Sequence, residues 1–253
     1  MKKIIFIIIK ILLIGTILIS SYFIFKEKEE EIEQEQVFEE LVEIVEDKEI
    51  ELKDNGQEIE SKVINLQNLY DINKDIIGWI KVGNTNINYP VMQSKIENYY
   101  LKKDFYKRYS YYGTPFLANN CDINTSENLI IYGHNMKNRK MFGDLENYKN
   151  KQFYDSNKVI DLYTLDNGET IKISYEIFAV FKTVAYSSTD FKYYQHVSFN
   201  SKESFEVFIN HVQDLSLYKT EVNPKYGDKL ITLSTCEYSN KNGRLVVVAR
   251  KIE

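Results

Sequence analysis

A cysteine at the end of an alternating run, a histidine beyond an apolar run and an arginine shortly after the cysteine carry the chemistry open to this 253-residue chain. With period two, Leu230-Ile231-Thr232-Leu233-Ser234-Thr235-Cys236 sets Ile231 and Leu233 on one face and Thr232, Ser234 and Cys236 on the other. Burying the aliphatic face turns the hydroxyls and the thiol towards a groove or solvent, where a thiolate can act as a nucleophile. The competing reading is a structural cysteine, a small hydrophobe in a core. His134 follows Asn128-Leu129-Ile130-Ile131-Tyr132 and the turn residue Gly133, so it stands just past a buried strand end, where rigid scaffolds present reactive groups. A histidine that merely bonds to its own turn beside Asn135 is the alternative. Arg244 opens Arg244-Leu245-Val246-Val247-Val248-Ala249-Arg250, eight residues after Cys236, and a hairpin over Glu237 to Gly243 would return it to the cysteine. A guanidinium fork there suits an oxyanion or a peptide carbonyl. A plain strand-end arginine on the surface fits the same position. Only four residues are arginine among 32 basic ones, so each arginine deserves its own question.

The elements that must position these groups are mostly strands. Ile76 to Val82, Ile87 to Met92, Thr114 to Leu117, Leu129 to Tyr132, Val159 to Leu165, Thr170 to Val184, Leu230 to Thr235 and Arg244 to Ala249 are β-rich runs separated by Gly, Asn, Asp or Pro. Eight such strands predict a barrel or sandwich, a mostly β fold with inserted helices. Helical patterns are expected at Met141 to Tyr154 and at Lys202 to Leu217, where Phe205, Phe208, Ile209, Val212 and Leu215 make one apolar stripe. A further helical pattern runs from Val63 through Leu66, Leu69, Tyr70 and Ile72. His196 and His211 are assigned to structure. The three histidines lie far apart in sequence and Cys121 has no neighbour at zinc spacing, so no metal and no cofactor are expected.

Ile4 to Phe25 is almost wholly apolar, flanked by Lys2 and Lys3 on one side and Lys26 on the other. As a helix it would reach about 33 Å, close to the thickness of a hydrocarbon core. Lys10 lies close enough to the charged end to snorkel. A membrane anchor over residues 1–25 is expected; a cleaved signal peptide competes with it, but Ser20-Ser21-Tyr22 suits cleavage poorly. The positive-inside rule puts the N-terminus in the cytoplasm and the remainder outside the cell. Residues 26–60 hold 16 acidic groups against 4 lysines and read as a spacer, either an acidic amphipathic helix on Val37, Leu41, Ile44 and Val45 or a charged stalk. Residues 61–253 form the body. A net charge of −5 argues against a nucleic-acid partner. An extracellular setting would permit a Cys121–Cys236 disulfide, which a working thiol at either position forbids.

Taken together, Thr232-Leu233-Ser234-Thr235-Cys236 with Arg244, Tyr132-Gly133-His134-Asn135-Met136 and Met141-Phe142-Gly143-Asp144-Leu145 resemble the sortases. Gly78-Trp79-Ile80, Tyr89-Pro90-Val91-Met92-Gln93 and Val246-Val247-Val248-Ala249-Arg250 extend the likeness over about residues 65 to 253. The helical patterns ahead of the first strand and the helix-bearing insertion before the cysteine strand are similar to class B. The resemblance implies an eight-stranded β-barrel whose cysteine and arginine strands flank a substrate groove. It also implies that Cys236 attacks the threonine carbonyl of a C-terminal sorting signal on another exported protein. His134 would serve the amines, Arg244 would hold the oxyanion or the signal's backbone, and Ser234 would contact substrate. The acceptor would be an amine of peptidoglycan or of its lipid-linked precursor. Signals of the Asn-Pro-x-Thr or Ser-Pro-x-Thr kind would be expected rather than Leu-Pro-x-Thr. A membrane-tethered cysteine peptidase or wall amidase using water, and a non-catalytic surface-binding β-domain, are the rival functions.

Overall fold

The structure, a computed structural model, describes residues 2–52, 58–186 and 189–252. The chain divides into two units, Met1–Leu41 and Val42–Glu253. Helix α1 (Lys2–Val45) makes up the first unit and its last turn lies in the second. It is long and apolar enough to cross a membrane, and its large hydrophobic side chains from Ile4 to Phe25 are exposed. The acidic stretch beyond them continues the same helix to Val45 and then turns into a hairpin of β1 (Glu46–Leu52) and β2 (Glu58–Ile64). The run of glutamates hides these strands in the sequence. Val63, expected to begin a helix, instead lies near the end of β2.

Helix α2 (Leu66–Ile72) starts one residue after Asn65, whose side chain accepts from the Gln67 N–H and so satisfies one of the donors that a helix start leaves open. The eight strands expected from the sequence follow: β3 (Ile76–Val82), β4 (Asn88–Met92), β5 (Phe116–Leu117), β6 (Asn128–Tyr132), β7 (Val159–Asp166), β8 (Glu169–Val184), β9 (Leu230–Cys236) and β10 (Gly243–Lys251). They close into a barrel in the order β10-β8-β7-β3-β4-β5-β6-β9. The barrel is mixed, since β4 with β5 and β6 with β9 run parallel and the other pairs antiparallel. Asn167 and Gly168, both at positive φ, make the tight β7–β8 turn, in keeping with the twist that hairpins prefer.

The stretch expected to be one helix from Met141 to Tyr154 is a 3-10 turn (Gly143–Lys149) followed by α3 (Lys151–Ser156). Asn150 divides them by capping the second piece through its side chain, which accepts from Gln152 N–H at 2.8 Å. In α4 (Lys202–Leu215), Ser201 and Ser204 form a capping box, and Phe205, Phe208, Ile209 and Val212 are buried. Leu215, expected to complete the stripe, is exposed because the helix ends there.

The core is anchored on Trp79, fully buried on β3 with its indole N–H donating to Asn88 Oδ1 at 2.7 Å. Beside it, Gly78 lets β7 come close: a Cβ there would lie 2.7 Å from the Tyr163 carbonyl oxygen. Trp79→Ala is expected to cost about 3–5 kcal/mol of stability, to be measured as a fall in the urea midpoint with an unchanged slope.

Candidate active site

Strands β9 and β10 face each other in a register that sets Arg244 directly opposite Cys236. Directly opposed residues of an antiparallel pair share a face, with Cβ atoms about 5 Å apart. The return between them is tight. The Glu237 N–H donates to the Gly243 carbonyl at 2.9 Å, and a Cβ on Gly243 would collide with the Glu237 carbonyl oxygen. The guanidinium is steadied by its own strand, Nη1 donating to Gly243 O at 2.9 Å.

On its other side β9 pairs in parallel with β6, Tyr132 opposite Ser234. The pairing runs on past the strand end. Gly133 N–H donates to Ser234 O at 3.1 Å, Thr235 Oγ1 donates to Gly133 O at 2.7 Å, and Asn135 Nδ2 donates to Cys236 O at 2.8 Å. His134 is thus bracketed by residues tied to the cysteine strand. Gly133 must be glycine, because a Cβ would meet the Phe142 ring at 2.6 Å. Cys236, His134, Arg244 and Ser234 all line one groove of about 580 Å³.

His134 is half-buried, and its Nε2 lies 2.7 Å from the Leu101 carbonyl oxygen. Burial holds its pKa below the ordinary histidine value; the bond to Leu101 opposes that, and the charge of Lys102 adds to it. Cys236 is partly exposed, whereas Cys121 is buried, its thiol pushed up chiefly by burial. Both cysteines are free, so the disulfide that an extracellular setting would permit is not formed.

Ser234 is almost wholly buried, and its hydroxyl shares a 2.6 Å bond with that of Tyr193. Thr232, expected on a face open to groove or solvent, is fully buried with Oγ1 donating to Asn128 Oδ1 at 2.8 Å. The reason is the chain after β8. The Val197 carbonyl accepts from Asn128 N–H at 3.0 Å and the His196 carbonyl from Asn128 Nδ2 at 2.9 Å, which closes that face. His196 and His211 pack on Phe191, at 5.4 and 4.1 Å between ring centres, outside the groove.

Sequence reasoning missed Leu101 and Tyr193, which reach the site through folding and carry no local signal. It also passed over Glu237, which adjacency to Cys236 could have flagged. Its buried carboxylate accepts from Lys149 Nζ at 2.8 Å, Lys182 Nζ at 3.2 Å and the Ser239 N–H at 3.0 Å, and pairs with the Ser239 hydroxyl. Burial alone would raise its pKa; Lys149, Ser239 and Lys182 outweigh that and draw it down to about 2. Lys149 also meets Glu146 at 2.6 Å, and Glu146 accepts from Asn135 Nδ2 at 3.2 Å. A polar chain therefore runs from the neighbour of His134 to the neighbour of Cys236.

Residues 80–252 match the family model of the sortase domain. The chain is similar to Sortase B of Staphylococcus aureus, 33% identical over 74% of each chain, and to Sortase B of Listeria monocytogenes, 35% identical over 74% of each. A solved Staphylococcus aureus sortase B–substrate complex superposes with a TM-score of 0.66 at 34% identity, over 74% of this chain and 84% of that one.

Two outcomes are expected from these electrostatics. Glu237 binds its proton more weakly when folded, so the stability it lends is complete above about pH 4.5 and is lost as pH falls towards 2. Glu237→Gln should flatten that part of a stability-against-pH curve followed by chemical denaturation. Lys102 opposes the imidazolium, so Lys102→Met should raise the NMR titration midpoint of His134, which burial holds below the ordinary histidine value.

Proposed function

This chain belongs to the sortase family, is class B-like and is a cysteine transpeptidase, and from that premise we propose that Cys236, His134 and Arg244 are its working residues. The observation that carries the assignment is the register of β9, which sets Cys236 opposite Arg244 and bonds both neighbours of His134 to the same strand around one groove.

The Cys236 thiolate attacks the carbonyl carbon of the threonine in a sorting signal, and the electron pair of the C=O moves to oxygen. Arg244, a permanent cation across the strand pair, holds that oxyanion or the signal's backbone carbonyl. As the oxyanion collapses the C–N bond breaks, and His134 as imidazolium gives its proton to the departing amine. A thioester on Cys236 remains. An incoming amine attacks it, loses its proton to His134, and the C–S bond breaks to restore the thiolate. Half-burial of His134 suits this exchange, since a depressed pKa makes the imidazolium a readier donor.

Ser234 belongs to the wall on which the signal lies, its hydroxyl paired with Tyr193. The signal is of the Asn-Pro-x-Thr or Ser-Pro-x-Thr kind and is carried by an exported protein. The acceptor is an amine of peptidoglycan or its lipid-linked precursor. The apolar part of α1 anchors the chain in the membrane, N-terminus in the cytoplasm, and residues 61–253 act outside.

The test is incubation of the full chain in detergent with an Asn-Pro-x-Thr peptide and a glycine-peptide amine. The amine-capped product should form with unaltered protein and fall below detection with Cys236→Ala. Hydrolysed peptide alone, with no amine-capped product, would make the protein a peptidase, and retained cleavage in Cys236→Ala would remove Cys236 as nucleophile.

A further inference from the structure

The groups that act on substrate leave open what holds the imidazole and which of its nitrogens moves the proton. Nε2 of His134 lies 2.7 Å from the carbonyl oxygen of Leu101. A carbonyl only accepts, so Nε2 carries hydrogen in this bond whether the ring is neutral or charged. The neutral ring has a single N–H, and Nδ1 is then left with the lone pair.

The Leu101 carbonyl is not free to turn away. The carbonyls on either side of it are tied back within their own loop, Tyr100 O accepting from Thr114 N–H at 2.9 Å and Lys102 O from Ser110 N–H at 3.1 Å. Leu101, between them, directs its carbonyl at the histidine instead. The closure needs Gly113, which has φ +59° and whose Cβ, were there one, would lie 2.6 Å from both Tyr100 O and Leu101 O. The loop is pinned from beneath by the buried Tyr100 side chain, whose hydroxyl donates to Asp75 Oδ2 at 2.8 Å and accepts from Asn73 Nδ2 at 3.2 Å. Asn73 Nδ2 also donates to Phe105 O at 2.6 Å, so one amide joins the side-chain anchor to the loop backbone.

We propose that the Leu101 main-chain carbonyl is the acceptor that orients His134, that Nδ1 is consequently the nitrogen that exchanges protons with the substrate amines, and that Tyr100 is a positioning residue acting through that carbonyl. This rests on the transpeptidase reading of the site. A backbone acceptor performs the orienting task that a carboxylate performs in a Ser-His-Asp triad, without adding a negative charge beside the thiolate.

The test is long-range proton–nitrogen NMR on the full chain in detergent, labelled with nitrogen-15 at histidine, the His134 signals being those lost in His134→Asn. At a pH where the ring is neutral, the proton is expected on Nε2; a proton on Nδ1 would overturn the proposal. Tyr100→Phe keeps the ring and removes only the hydroxyl. It should lower kcat for acyl-enzyme formation about tenfold, the equivalent of one hydrogen bond, leave KM within about twofold, and mix the two tautomers. Unchanged kcat, or a loss of kcat with the Nε2 tautomer intact, would overturn the role of Tyr100. The tautomer is read on unaltered, resting protein and needs no turnover, the variant serving only to assign the signals. Failure to trap any acyl-enzyme on Cys236 would count against the transpeptidase reading, and the same spectrum would still decide the orientation of His134.

Discussion

Strand β9 is bonded in parallel to β6 on one side and antiparallel to β10 on the other, and the two registers put Tyr132 beside Ser234 and Arg244 beside Cys236. Side chains alternate along a strand, so a slip of one residue in either pairing would turn Cys236 away from the groove and bring Thr235 in its place. Closure of the barrel resists such a slip. Each strand is paired on both edges, and a shift in one ladder would have to be absorbed by all the others. Val246, Val247 and Val248 on β10 and Ile231 and Leu233 on β9 are fully buried, which makes either slip costly in apolar burial as well.

Beyond the strand ends the register is carried by polar contacts. Asn135 is the crossing point: its amide donates both to the Cys236 carbonyl and to Glu146, whose partner Lys149 also reaches Glu237. The ion pairs here differ from the exposed pairs elsewhere on the chain, such as Lys151 with Asp155, because Glu237 is buried and has two ammonium groups to offset its desolvation. The frame therefore sets the backbone at Cys236.

Much of the barrel was legible in the residues. The strands alternate or run continuously apolar and are broken by Asn, Gly and Pro, and the bounds read for β3 coincide with those observed. Legibility failed where composition masked pattern or where distant chain intervened. The β1–β2 hairpin lies within a stretch so acidic that it reads as solvated spacer. The division of the 141–154 segment depends on one capping asparagine inside an otherwise helical pattern. Thr232 has the period of an open position yet is closed off by the chain that follows β8, and periodicity tells one face from the other without saying what covers each.

The candidate trio was readable as residue types at the right places: a thiol and an arginine joined by a short return, and a histidine beyond an apolar strand. Local spacing pointed to a meeting of Cys236 and Arg244 across a short return, and the register of β9 with β10 decided it. The sequence likewise determined the apolar helix at the N-terminus, whose length and hydropathy are local properties. Only the tertiary structure decided that the histidine joins them, since β6 and β9 are about a hundred residues apart and parallel pairing leaves no mark in either strand. It alone supplied Leu101, Tyr100 and Tyr193, because a main-chain carbonyl or a buried hydroxyl owes its partner to loop closure, and closure depends on contacts summed over the whole barrel.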